Sequence, residues 1–191
     1  MLDERRLLLI SQFGIEGYSL LARIACKHPK ILWISSNPYI PCKMLDLYAY
    51  NGNARVLGFS SRRKTATINP MNLNELGIAV SSSIERGHAV VFSCISELLM
   101  FHKVERVYYF LSNIMDKAEE GQFIGLIIEG AQDEKDELLI ATLFDAVFKL
   151  KKGKDQILLL PELYIPGTAY TLRYEKGLVD IEVLEEVVAN V

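Results

Sequence analysis

The sequence has 191 residues, 50% of them hydrophobic and 24% charged, and its 21 basic and 24 acidic residues leave a formal charge of −3. That composition excludes a disordered or collagen-like chain and fits one folded domain, expected to span residues 1–191. The charge gives no support to bulk attraction to nucleic acid or anionic lipid, and no apolar run approaches the roughly 20 residues that cross a bilayer.

Residues 1–6 carry both charge signs, and the apolar run 7–10 is too short for a signal-peptide core, so a cytoplasmic protein is expected. Residues 7–10 read as a buried strand, being short and continuously apolar. Two glycines follow in a turn, then a helix over 19–26 with Leu20, Leu21, Ile24 and Ala25 on one face, ended by Pro29. Residues 31–35 form the second strand, broken by Asn37-Pro38. A helix is expected over 42–50, stopped at Asn51-Gly52-Asn53, and a weak strand over 55–59.

Residues 60–68 are polar and basic and read as a surface loop containing Arg62, Arg63 and Lys64. Asn72 and Glu75 have capping-box spacing, which starts a helix running to about Arg86, closed by Gly87. Residues 89–93 form another apolar strand. Val104, Val107, Tyr108, Leu111, Ile114, Met115 and Ala118 recur at helical spacing. A strand over 124–128 and a helix over 135–144 follow, with Leu138, Leu139, Thr142 and Leu143 expected on the helix's inner side. Hairpins are expected from 146–150 with 156–160, and from 170–174 with 178–181 around Glu175-Lys176-Gly177. Apolar strands alternating with helices predict an α/β fold, a three-layer sandwich with a largely parallel central sheet and antiparallel C-terminal edge strands.

In such a sheet ligands bind where strands end and helices begin. The first crossing, residues 7–21, has the context of a phosphate loop, G-x-x-x-x-G-K-[ST] between a strand and a helix. Gly17 and Ser19 take the last glycine and the hydroxyl positions. Tyr18 stands where lysine belongs, Gln12 where the first glycine belongs, and Gly14 is out of register. A tyrosine supplies no cation for a β/γ-phosphate, and its ring competes for the space.

With these residues and the later strands, the chain resembles the archaeal KaiC- and RadA-like members of the RecA superfamily. The resemblance covers most of residues 5–160 without one intact motif. It implies that the second strand should end in a catalytic glutamate, where Asn37 stands, and that the strand 89–93 should carry a magnesium-binding aspartate, where Ser93 stands. Glu97 lies beyond that strand as a poor substitute. Lysine, magnesium ligand and general base are thus all absent at their positions, and each supplies a distinct part of phosphoryl transfer. The resemblance therefore implies a RecA-like core without ATP hydrolysis: no catalytic residue, metal ligand or cofactor is assigned, and Gly14, Gly17, Tyr18, Ser19, Asn37 and Ser93 mark a degenerate nucleotide site.

Other constellations point to ordinary structural roles. Cys26, Cys42 and Cys94 lack paired spacing and read as buried free thiols. His28, His88 and His102 lack metal-ligand spacing and read as loop or cap residues. Serines 81–83 sit in no nucleophile elbow. Lys149, Lys151, Lys152 and Lys154 read as a solvated strand end. Glu129, Asp133, Glu134, Asp136 and Glu137 form an acidic rim that suits a helix N-terminus and disfavours a phosphate. Tyr39, Tyr48, Tyr50, Tyr109, Tyr164, Tyr170 and Tyr174 are candidate anchors for a protein partner, with Tyr108 in the core.

The leading expectation is a non-catalytic RecA-like protein that binds a protein or peptide, with a homo-oligomer compatible. Two alternatives remain open: a non-hydrolysing nucleotide switch, with Lys43 or Arg62 replacing the missing lysine, and a DNA-repair accessory protein, which the net charge does not favour.

Overall fold

The strands over residues 6–11, 30–35, 89–92 and 122–128 are buried on both sides, so each must be covered twice. In the computed structural model, which describes residues 2–12, 14–59, 69–152, 156–163 and 169–183, a nine-stranded sheet meets that need. The elements are β1 (Arg6–Ser11), α1 (Ile15–Ala25), β2 (Lys30–Ser35), α2 (Tyr39–Leu47), β3 (Asn53–Gly58), α3 (Leu73–Ser81), β4 (Ala89–Phe92) and α4 (Ile95–Phe101). They continue with α5 (Val104–Lys117), β5 (Gln122–Ile128), α6 (Glu134–Ala141), β6 (Ala146–Lys152), β7 (Ile157–Leu163), β8 (Tyr170–Glu175) and β9 (Leu178–Val183).

The sheet order is β3-β2-β4-β5-β1-β6-β7-β8-β9. β3 to β6 are parallel, and β7, β8 and β9 add antiparallel to the β6 side. Alternation along each strand divides the core in two. Leu8 and Ile10 of β1, with Leu32 and Ile34 of β2, face the layer made by α3, α4, α5 and α6. Leu7, Leu9, Ile31 and Trp33 face α1 and α2. The β8–β9 hairpin joins that second layer through Leu172 and Val179, with β9 packed on α1. Its turn places Lys176 at φ 52° and Gly177 at φ 90°. Two successive left-handed residues are what a two-residue hairpin turn requires, and Gly177 holds the second without strain.

The architecture agrees with the sequence reading, and several boundaries move. α1 begins at Ile15, so Gly17, Tyr18 and Ser19 are helical residues and not part of a turn. α2 spans Tyr39–Leu47, earlier than expected. α3 starts at the Asn72 cap, whose Oδ1 accepts the Glu75 N–H at 3.2 Å, but stops at Ser81; Gly87, at φ 77°, serves the turn before β4 instead. α4 has no counterpart in the sequence reading. α6 ends at Ala141, leaving Leu138 and Leu139 55% and 37% exposed while Ile140, Ala141, Leu143 and Phe144 are buried. The expected inward face of that helix is therefore wrong for its two leucines. Cys94 is buried, Cys26 half-buried and Cys42 exposed, against the expectation of three buried thiols. The expected loop with Arg62, Arg63 and Lys64, together with Lys154 and Tyr164, lies outside the described residues.

Candidate functional site

The C-terminal ends of β1, β2, β4 and β5 converge where the degenerate phosphate loop was expected. At the first turn of α1 the Glu16 side chain folds back over Gly14, so closely that a Cβ on Gly14 would collide with its carboxylate. A helix N-terminus attracts anions through its free N–H groups and dipole. Here a carboxylate lies beside Gly14 without accepting a cap hydrogen bond, which adds negative charge to the turn. A Cβ on Gly17 would lie 3.0 Å from Ser11 Oγ and 3.4 Å from Leu126 Cδ1, so this glycine lets α1 approach β1 and β5 closely.

Tyr18 is 8% exposed and belongs to the apolar layer of α1 and β1. Its phenol is pushed up to about 12, first by burial and then by the negative charge of Glu97. The ring thus lies in the apolar layer between α1 and the sheet. A neutral ring stands there, with no cation.

Ser19 is fully buried, and its hydroxyl is engaged at both ends. Ser19 Oγ donates to the Gly177 carbonyl at 2.7 Å and lies 2.9 Å from Tyr48 Oη. Tyr48 Oη also accepts the Val179 N–H at 2.8 Å. With its proton on Gly177, Ser19 must accept from the tyrosine. The chain of bonds thus runs from Val179 N–H to Tyr48, to Ser19, to Gly177 C=O, with every proton assigned. The hydroxyl that a phosphate loop offers to magnesium instead ties α1 to the end of α2 and to the β8–β9 turn.

Ser93, 2% exposed, accepts from Trp33 Nε1 at 3.0 Å and donates to the Ile34 carbonyl at 3.2 Å. It satisfies a buried indole and faces no ligand space. Asn37 is exposed; its Oδ1 accepts the Tyr39 N–H at 3.2 Å and its own N–H goes to Ser35 Oγ at 3.3 Å. It starts α2 through local backbone bonds. The structure gathers Tyr18 at this edge but disperses Ser19, Asn37 and Ser93 into separate structural contacts.

One residue set aside in the sequence reading returns to the site. Glu97, on α4, takes the Ser36 hydroxyl on Oε1 at 2.7 Å, and its Oε2 is buried with no hydrogen-bond partner among the described residues. Nothing in the sequence pattern shows α4, whose seven residues alone turn Glu97 back toward β2 and Tyr18. Beside it, Ser96 Oγ accepts the Ile128 N–H and donates to Gln132, and Gln132 donates to Glu137, each at 2.9 Å. Lys149 binds Glu129 at 2.7 Å, which raises the lysine's pKa, and burial raises that of Glu137. The acidic rim is therefore partly neutralised and partly bound internally. The histidines also hold structural contacts: His28 with Gln122 at 2.9 Å, His88 accepting the Glu85 N–H at 2.7 Å, and His102 with the Pro70 carbonyl at 2.8 Å.

The cleft beside this edge, lined by Ser11, Gln12, Glu16, Leu150, Lys152 and Ile157, measures about 130 Å³. Small-molecule sites usually hold about 300–1,000 Å³. Among the described residues no three His, Cys, Asp or Glu side chains assemble as a metal site, and no helix is long and apolar enough to cross a membrane.

Superposition on solved structures shows the fold. The fold is that of the KaiC-like proteins. A KaiC-like protein from Pyrococcus horikoshii superposes with a TM-score of 0.60 at 14% identity, covering 95% of this chain and 91% of that one. The flagellar accessory protein FlaH of Methanocaldococcus jannaschii gives 0.65 at 14% identity, covering 95% and 91%. An uncharacterised Pyrococcus horikoshii protein, captured in complex with an unknown peptide, gives 0.61 at 12% identity, covering 96% and 94%. No family model matches the sequence, and no curated protein matches it significantly. Magnesium and nucleotide, which a RecA-like fold implies, do not fit the residues present. The Ser19 hydroxyl is bound inside the fold, Ser93 is a buried serine bound to an indole, and the Glu16 carboxylate lies beside Gly14.

Proposed function

We propose that this KaiC-like chain is a non-catalytic, cytoplasmic protein that acts by binding another protein or a peptide, as a regulatory or assembly subunit. The observation that carries the reading is the bond chain from Val179 through Tyr48 and Ser19 to Gly177. Turning the hydroxyl to magnesium would take the Ser19 partner from the Gly177 carbonyl and from the Tyr48 hydroxyl, a cost of about 1–3 kcal/mol for each group left unpaired. Tyr18 and Glu16 reinforce the reading by placing a neutral ring and a carboxylate where a phosphate needs cations. The peptide captured by the similar Pyrococcus horikoshii protein supports a peptide ligand for this fold. Displaying random peptides against the full chain is expected to enrich binders of micromolar affinity. No enrichment, together with saturable nucleotide binding, would overturn the proposal.

A second reading, a nucleotide switch without hydrolysis, draws on one observation. The unpartnered Oε2 of Glu97 lies at the nucleotide edge of the sheet, where it could meet a cation brought by a nucleotide. Its proposed helper Lys43 is exposed on α2, and Arg62 lies outside the described residues.

A further inference from the structure

The face of the molecule opposite α1 and α2 carries two unlike surfaces side by side. There α3 packs on α5 and α5 on α6, all three closing the same core layer. Between α3 and α5 runs a groove of about 840 Å³ with Gly77 and Phe110 at its floor. Because Gly77 has no side chain, the Phe110 ring lines the groove directly; a Cβ there would lie 3.6 Å from it. Ile78 and Tyr109 stand on the rims, 72% and 69% exposed.

Arg106 and Lys117 line the same groove, about three turns apart on α5, and neither forms an ion pair among the described residues. Asp116, the groove's one acid, is bound to Arg6 at 3.2 Å. The groove is thus apolar in the middle and positive at its ends. The neighbouring α6 differs in character: Leu138 and Leu139 are exposed, and its first turn holds Glu134 and Asp136 beside Lys135, with Glu137 bound to Gln132.

An exposed apolar strip between charged ends has the anatomy of an interface, an apolar centre with a polar rim. Opposite charges on the two surfaces identify the occupant. We infer that a second copy of this chain seats its α6 leucines in the α3–α5 groove, while its own groove receives α6 of the first. Both surfaces lie on one face, one on each side of α5, so a two-fold axis brings each onto the other's counterpart. That is the reciprocal contact of an isologous dimer. The acids of α6, confined to its first turn, then lie against one of the groove's two cations, which orients the pair and makes association weaker as salt rises. The inference does not depend on the fate of the nucleotide site.

Sedimentation equilibrium of the full chain, from about 1 to about 100 μM in low salt, tests it. A dimer is expected, weakened by salt. Ile78→Glu damages only the groove and Leu138→Glu only the helix. Each is expected to raise the dimer Kd by about thirtyfold or more. Both positions are exposed, so thermal unfolding should be unchanged. Mixing the two variants restores association, because a mixed pair retains one intact groove with one intact helix. A monomer at every concentration would overturn the inference. A dimer insensitive to either variant, or a mixture no more associated than its components, would do the same.

Discussion

Tyr18 shows how one residue decides the character of the site. A lysine there would need an anion; a buried phenol needs only to stay neutral. Its pKa is raised, so the neutral form is favoured by folding. The resulting stability is complete below the ordinary phenol pKa of 10.0 and is lost as pH rises toward about 12. Ultraviolet titration is expected to show one tyrosine ionising near pH 12, absent in Tyr18→Phe. A normal titration of every tyrosine would mean that the ring is solvated. Ser93 makes the reverse case. Ser93→Asp, which restores the superfamily's magnesium ligand in sequence, sets a carboxylate against the Ile34 carbonyl and deprives Trp33 Nε1 of its hydroxyl acceptor. It is expected to lower stability by about 3 kcal/mol or more in urea unfolding, with no gain in magnesium affinity. The residue types at Gly17, Tyr18, Asn37 and Ser93 are readable from sequence, where they suggest a degenerate nucleotide site. Their partners are not. Ser19 meets Gly177 from the far end of the chain, and no local spacing encodes that contact.

Among elements, the β8–β9 hairpin has the most to lose. Only part of it enters the core, through Leu172 and Val179, and Tyr48 secures its turn. Tyr48→Phe removes the link between the Val179 N–H and Ser19. A loss of about 1–3 kcal/mol is expected, with faster amide exchange concentrated at residues 177–179. Uniform exchange across the sheet would show that the hairpin is held by other contacts. The hairpin itself was readable from Glu175-Lys176-Gly177 between apolar runs, because turn chemistry is local. α4 was not, because seven residues make only about two turns, too few to show a helical period. The misplaced leucines of α6 have a related cause. The helix stops at Ala141, and Leu143 and Phe144 reach the core from beyond it, so the periodicity was extended through residues that are not helical.

Across the whole molecule, strand alternation told the fold class, but the order β3-β2-β4-β5-β1-β6 depends on long-range pairing that no single segment specifies. That order also places the β8–β9 turn on Ser19, which closes the α1 hydroxyl inside the fold. Calorimetric titration of the folded chain with ATP and Mg²⁺ addresses this closure most directly. No binding heat up to about millimolar nucleotide is expected. Saturable binding with a micromolar Kd would contradict the account, since Glu16, Tyr18 and Ser19 would then have to leave the positions described here.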